Sequence, residues 1–285
     1  MGDNIQYLTL NNGIKIPILG FGTYQIPPEE TKQAVLDAID VGYRLIDTSQ
    51  FYNNEAEVGE AIRESGVGRE ELFITTKVWI SNYDYEKCLD SINESMEKLG
   101  LDYIDLILIH QPLSDYYSAY RALEDLYDAG FIKAIGVSNF YPDRLTDICS
   151  FKRRVIPQIN QVEVNPFNAQ YLAQANMEKN GVQMQAHSPF CQGKRDIFKN
   201  ETLIKIGNKN GGKTASQVIL RWLVERSVIA LSKTTNKDRM AENIDIFDFA
   251  LDEEDMLEIM NLDESKTSFF NYQNPETVER FYELL

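Results

Sequence analysis

Ile104-Asp-Leu-Ile-Leu-Ile109-His110 is an almost unbroken apolar run that ends on a histidine. Such a run is what a strand covered on both faces requires, whereas a strand with one wet face alternates apolar and polar residues. Before it, Cys88, Leu89, Ile92, Met96 and Leu99 recur at helical spacing, and after it Tyr120, Leu123, Leu126 and Tyr127 do the same. A doubly covered strand between amphipathic helices argues for parallel pairing with helices packed outside.

The alternation continues in both directions. Strand-like runs fall at 19–22, 43–47, 72–78, 103–110, 132–138, 158–163, 182–187 and 228–232, which makes eight, and each interval has room for a helix. Ahead of them, Tyr7-Leu-Thr-Leu, the turn Asn11-Asn-Gly13 and Ile14-Lys-Ile-Pro-Ile18 read as a hairpin. No Pro/Gly/Ser linker divides the 285 residues, so a single domain over 1–285 is expected. Eight β/α units close as a barrel or lie open as a doubly wound sheet, and periodicity does not separate the two. The polar residues bear on the choice. Asp47, Lys77, His110, Ser138, Gln161, His187 and Lys233 each sit at or near the carboxyl end of a different run. Strand ends are often polar, but a barrel gathers those ends on the one face where barrel enzymes place their chemistry.

A composition of 43% hydrophobic and 25% charged residues is that of a packed globular protein. The formal net charge of −16 repels phosphate backbones and anionic membranes, so no nucleic-acid or membrane partner is expected. The first fourteen residues lack a leader pattern and no apolar run reaches membrane-spanning length, which points to the cytoplasm. Cys88, Cys149 and Cys191 are far apart and the histidines number two, so neither a disulfide framework nor a metal site is expected.

The segment Asp47-Thr-Ser-Gln-Phe-Tyr52-Asn-Asn-Glu55-Ala-Glu-Val-Gly59 closely resembles the signature of the aldo-keto reductase family, and the short loops after His110 and Phe190 resemble those of its compact microbial members. The likeness extends through Phe73-Ile-Thr-Thr-Lys77, Leu108-Ile-His-Gln-Pro112, Gly136-Val-Ser-Asn-Phe140, Asn160-Gln-Val-Glu-Val-Asn-Pro166 and Arg221-Trp222. It implies a (β/α)8 TIM barrel with an N-terminal β-hairpin and a short C-terminal tail, a monomer, and NADPH-dependent reduction of a small-molecule carbonyl. The catalytic group would be Tyr52, Lys77, Asp47 and His110. Chemistry agrees: carbonyl reduction needs an acid on the developing alkoxide, and a phenol of ordinary pKa near 10 is a weak one. A buried Lys77 would stabilise the phenolate and lower that pKa, Asp47 would keep Lys77 charged, and His110 would direct the substrate oxygen. Taken singly, Tyr52 reads equally as a packing tyrosine, Asp47 and Lys77 as a structural ion pair, and His110 as a satisfied core histidine.

No Gly-x-Gly-x-x-Gly follows a strand; Gly20-Phe-Gly22-Thr23 lacks the third glycine. By resemblance, Ser138, Asn139 and Gln161 would hold the nicotinamide carboxamide, with Gly22 and Thr23 bordering it. His187, where the family usually has a Tyr, would stack on nicotinamide beside Ser188 and Phe190. A protonated His187 would then weaken NADP+ more than NADPH as pH falls. Ser232, Lys233, Thr234, Arg239 and Asn243 match the segment that takes the 2′-phosphate end of the cofactor. Tyr24, Phe51, Trp79 and Gln111, the last in place of the usual Trp, would line the substrate pocket.

Two rivals remain. A nonenzymatic cofactor-binding barrel acting through a partner would lack a catalytic residue, and all four are present. Gly207-Asn-Lys-Asn-Gly-Gly212-Lys213-Thr214 also fits the P-loop pattern literally. The competing account is a helix ending at Gly207 or Asn208, a glycine-rich turn, and a new helix opened by the capping box Thr214-Ala-Ser-Gln217.

Overall fold

A computed structural model describes residues 5–151 and 153–283. The hairpin is β1 (Tyr7–Thr9) and β2 (Lys15–Pro17). Eight further strands follow: β3 (Leu19–Gly22), β4 (Leu45–Asp47), β5 (Phe73–Val78), β6 (Ile104–Ile109), β7 (Ile132–Ser138), β8 (Ile159–Glu163), β9 (Gln183–His187) and β10 (Ile229–Ser232). They pair in parallel, each with its successor, and β10 pairs with both β9 and β3. The sheet is therefore a closed (β/α)8 barrel. Every expected strand is present, with its ends trimmed by at most two residues.

Helices α1 (Pro28–Val41), α2 (Glu55–Glu64), α3 (Tyr85–Leu99), α4 (Tyr116–Asp128), α5 (Pro142–Ser150) and α6 (Tyr171–Lys179) lie between successive strands. Two helices, α7 (Glu201–Lys209) and α8 (Ala215–Glu225), join β9 to β10; α9 (Lys237–Ile244), α10 (Glu253–Met260) and α11 (Pro275–Tyr282) end the chain. The stripe read from the sequence is the packed face of α3: Cys88, Ile92 and Leu99 are fully buried. Asp84 caps its first turn, and Gly100 ends it in the left-handed region at φ 66°.

Two cores result. One fills the space between strands and helices. The other fills the lower lumen with Leu45, Phe73, Leu106, Leu108, Ala134, Ile159, Ile229 and Leu231, closed from below by Leu10 and Ile16 of the hairpin. The hairpin turn is bolted to the barrel: Asn11 Nδ2 donates to Pro157 O at 3.0 Å and to Gly181 O at 2.9 Å, and Asn12 Nδ2 to Lys133 O at 3.0 Å. Gly136 is glycine because a Cβ there would sit 2.6 Å from Ile159 O and 2.7 Å from Leu108 Cδ2. Above this apolar plug the lumen turns polar.

The P-loop pattern falls on a helix–turn–helix. α7 runs to Lys209, one residue past Asn208, Gly211 and Gly212 take left-handed φ of 78° and 82°, and Thr214 caps α8. The capping box is formed, with Gln217 N donating to Thr214 Oγ1 at 3.3 Å and Thr214 N to Gln217 Oε1 at 3.0 Å. Lys213 is paired with Asp245 at 3.2 Å and Asp248 at 2.7 Å. A phosphate-cradling loop must follow a strand, whereas this turn follows the helix α7.

Candidate active site

The polar strand ends converge. Gly22, Asp47, His110, Ser138, Gln161, His187 and Lys233 line one cavity of about 660 Å³, together with Tyr52 from the turn after β4. Lys77 lies just behind this wall, fully buried. Its ammonium donates to Asp47 Oδ1, to Thr48 O at 2.9 Å and to the Tyr52 hydroxyl at 3.3 Å.

The turn that carries Tyr52 is held on both sides. Asn54, wholly buried, donates to Thr23 O at 3.1 Å and Ile26 O at 3.2 Å and accepts from Thr48 Oγ1 at 2.8 Å. Gln50 accepts from Trp79 N at 2.9 Å and donates to Ser91 O at 3.1 Å. Ser49 Oγ accepts from Phe51 N at 3.2 Å and lies 2.9 Å from His110 Nδ1. These residues stand inside the quoted signature, but their role depends on contacts with α1, α3 and β6.

Electrostatics here differ from the sequence expectation. Burial, with the Asp47 carboxylate second, pushes the Tyr52 hydroxyl well above its usual range, where Lys77 was expected to lower it. The reason is that Lys77 is matched by Asp47, so the pair presents little net positive charge to the phenol. Burial lowers Lys77 itself, and Asp47 partly offsets this. His110 is held well below its ordinary value by burial and then by the Lys77 charge, so it is neutral. Burial, then Lys77, also push His187 down to about 3.

The residues expected around a nicotinamide are placed unequally. Gln161 Nε2 donates to Asp47 Oδ2 and Gln185 Oε1, both at 2.8 Å, while its Oε1 has no protein partner among the described residues. Ser138 Oγ donates to Gln161 O at 2.9 Å. Asn139 is already engaged, donating to His110 O and Gln111 Oε1 at 3.1 Å, with His187 Nε2 at 3.2 Å from its Oδ1. His187 Nδ1 is 3.1 Å from Ser188 Oγ. Ser188 and Phe190 line the cavity. Thr23 and Ser232 do not: Thr23 Oγ1 donates to Asp47 O at 3.1 Å, and Ser232 Oγ meets the Tyr43 hydroxyl at 2.9 Å beneath the surface. Lys233, Thr234, Arg239 and Asn243 line the far end of the cavity. Neither the Lys233 ammonium nor the Arg239 guanidinium has a carboxylate partner among the described residues.

At the other end Tyr24, Phe51, Trp79 and Gln111 form a wall around Tyr52 and His110. Phe51 stacks on Trp79 at 4.1 Å between ring centroids, and Trp79 meets the His110 ring edge-on at 5.1 Å. The fourth side comes from the C-terminal tail, which sequence reading missed as part of the site: Phe269, Phe270, Tyr272 and Phe281 all line the cavity. Its aromatic density was the available signal. Glu163 clasps this tail, accepting from Ser268 N at 2.9 Å and Thr267 Oγ1 at 2.5 Å. Among the described residues no His, Cys, Asp or Glu group is arranged to hold a metal ion.

Known proteins with the same sequence pattern place this barrel. The aldo/keto reductase family model matches residues 18–264. Glyoxal reductase of Bacillus subtilis is 43% identical over 259 residues, covering 90% of this chain and 92% of that protein. Morphine 6-dehydrogenase of Pseudomonas putida is 40% identical over 270 residues, covering 90% of each. A Bombyx mori aldo-keto reductase crystallised in complex with NADP superposes with a TM-score of 0.88 at 36% identity, covering 93% of this chain and 95% of that one. The chain belongs to the aldo/keto reductase family of oxidoreductases.

Proposed function

We infer that the protein reduces aldehydes or ketones to alcohols with NADPH, using Tyr52 as proton donor. The observation that carries this is one cavity with a half-buried tyrosine on a buried lysine–aspartate pair and a neutral histidine at one end, and at the other two cations with no carboxylate partner among the described residues. The residues fit the cofactor. Among the described residues Lys233 and Arg239 have no carboxylate partner, which leaves them to meet a 2′-phosphate, and Gln161 Oε1 has no donor, which suits it to a carboxamide N–H. When bound, NADPH supplies the hydride that adds to the carbonyl carbon.

Tyr52 stays protonated until it is needed, because burial disfavours its phenolate. As charge develops on the substrate oxygen the proton passes from the Tyr52 hydroxyl, and the phenolate left behind stands 3.3 Å from the Lys77 ammonium. Asp47 holds that ammonium in place. His110, neutral and facing the same end, orients the substrate oxygen. The aromatic wall suits a small carbonyl compound with an apolar body. Loss of NADPH absorbance at about 340 nm across a panel of aldehydes and ketones tests the reaction. Tyr52→Phe should lower kcat by roughly 10³-fold or more while NADPH affinity stays within about twofold. Full activity in that variant overturns the assignment.

A further inference from the structure

Ser49 sits at the junction of the two groups that face the substrate end. It is the residue before the short turn Gln50–Tyr52, and its side chain caps that turn by accepting from Phe51 N at 3.2 Å. The same oxygen lies 2.9 Å from His110 Nδ1. Ser49 is completely buried and His110 nearly so.

Counting protons decides the direction of the second bond. A serine hydroxyl has one proton to give and two lone pairs to fill. Phe51 N–H fills one lone pair. Were Nδ1 protonated, it would fill the other, and the Ser49 proton would be left without an acceptor, since Phe51 N and His110 Nδ1 are its only hydrogen-bonding partners among the described residues. An unsatisfied buried donor is disfavoured strongly enough to set a tautomer ratio on the order of ten to one or more. In the alternative, Ser49 O–H donates to an unprotonated Nδ1 and every group is satisfied. Since the ring is neutral, its one proton is then on Nε2, which has no protein partner among the described residues.

We propose that Ser49 is a positioning residue that fixes His110 as the Nε2–H tautomer while capping the turn that carries Tyr52. The side chain thereby locks two donors, the Nε2–H and the Tyr52 hydroxyl, in fixed relation around one acceptor position. The His110 and Tyr52 rings already meet edge to face at 5.8 Å between centroids. This rests on His110 as the group that receives the substrate oxygen, but the tautomer is measured without cofactor or substrate.

The chain has two histidines, so long-range proton–nitrogen spectra of protein labelled with ¹⁵N-histidine show two ring systems. A His187→Gln protein, with one histidine left, assigns them. The expected wild-type result is a single Nε2–H tautomer for His110 at neutral pH. Ser49→Ala should give a mixture of both tautomers at His110 with His187 unchanged, and Ser49→Thr, which keeps a hydroxyl, should restore one. In turnover Ser49→Ala should lower kcat about tenfold with the NADPH dissociation constant within about twofold. A wild-type proton on Nδ1, or a Ser49→Ala spectrum with the same single tautomer, overturns the proposal; the wild-type spectrum decides even where the alanine variant fails to fold. If the tautomer responds as stated but no carbonyl is reduced by any of the proteins, the proposed reaction fails and the role of Ser49 stands.

Discussion

Lys233 follows the last residue of β10, exposed and without a carboxylate partner among the described residues, in a chain whose net charge is −16. A cation left free amid so much negative charge is suited to a phosphate. Lys233→Ala should weaken NADPH by about 1.5–3 kcal/mol and leave NADH almost unchanged. Equal losses for both cofactors, measured by fluorescence titration, would remove Lys233 from phosphate recognition. At His187 the structure reverses an expectation. With its pKa pushed down to about 3, the imidazole is neutral at mildly acidic pH, so NADP+ and NADPH should show parallel affinity curves from about pH 5.5 to 8. The same shift carries a stability consequence. An unfolded histidine takes up a proton below about pH 6.5, whereas folded His187 does so only near 3. Between those values the unfolded state binds more protons, so stability falls as pH falls, and His110, also lowered, acts in the same direction. Calorimetry should show Tm dropping as pH is lowered from about 6.5, with a shallower slope in His187→Gln. An identical slope in that variant would contradict a half-buried imidazole held neutral at His187.

Between elements, the stretch from Gly207 to Thr214 shows how a literal motif match is decided by what precedes and follows it. The turn serves two helices: Thr214 Oγ1 accepts from the first-turn amide of Gln217 in α8, and Lys213 bridges to Asp245 and Asp248. Magnesium-ATP should therefore give no binding heat in a calorimetric titration, and micromolar binding abolished by Lys213→Ala would restore the nucleotide reading. Thr214→Ala should lower stability by about 1 kcal/mol through loss of the cap. The barrel strands have their own constraint at Gly136, where an added methyl meets the β8 backbone as well as a leucine side chain. Gly136→Ala should destabilise by about 1–3 kcal/mol in denaturant unfolding, since the backbone of a closed sheet has little room to shift.

Across the whole molecule the aromatic end of the cavity, proposed to take the substrate, is assembled from both halves of the chain and sealed by the last described helix. Phe281 on α11 packs 6.3 Å from Trp79 and 5.6 Å from Tyr272, between ring centroids. Phe281→Ala should raise KM for an aromatic aldehyde about tenfold and leave NADPH affinity near its original value, because the lost contact area is at the far end from Lys233. Of the two tryptophans, Trp222 is wholly enclosed, so a red shift in emission would report Trp79 becoming wetter. An unchanged KM would mean that the tail does not form the substrate wall.

The local pattern of residues determined the eight strands, the hairpin, the α3 and α4 stripes and the set of polar strand ends, because each of these follows from period and order along the chain. The resemblance around Asp47 to Gly59 named the residues that the barrel brings together. Tertiary structure alone decided the rest. Closure depends on β10 reaching β3, a pairing more than two hundred residues apart. Thr23 and Ser232 turn away from the cavity and bond to Asp47 O and the Tyr43 hydroxyl, partners that lie on other elements. Tyr52 is raised where lowering was expected, and His187 is neutral, because desolvation depends on everything packed around a group and has no signature in the residue's own neighbours along the chain. The aromatic tail joins the site for the same reason: its placement is fixed by Glu163, which the sequence separates from it by about a hundred residues.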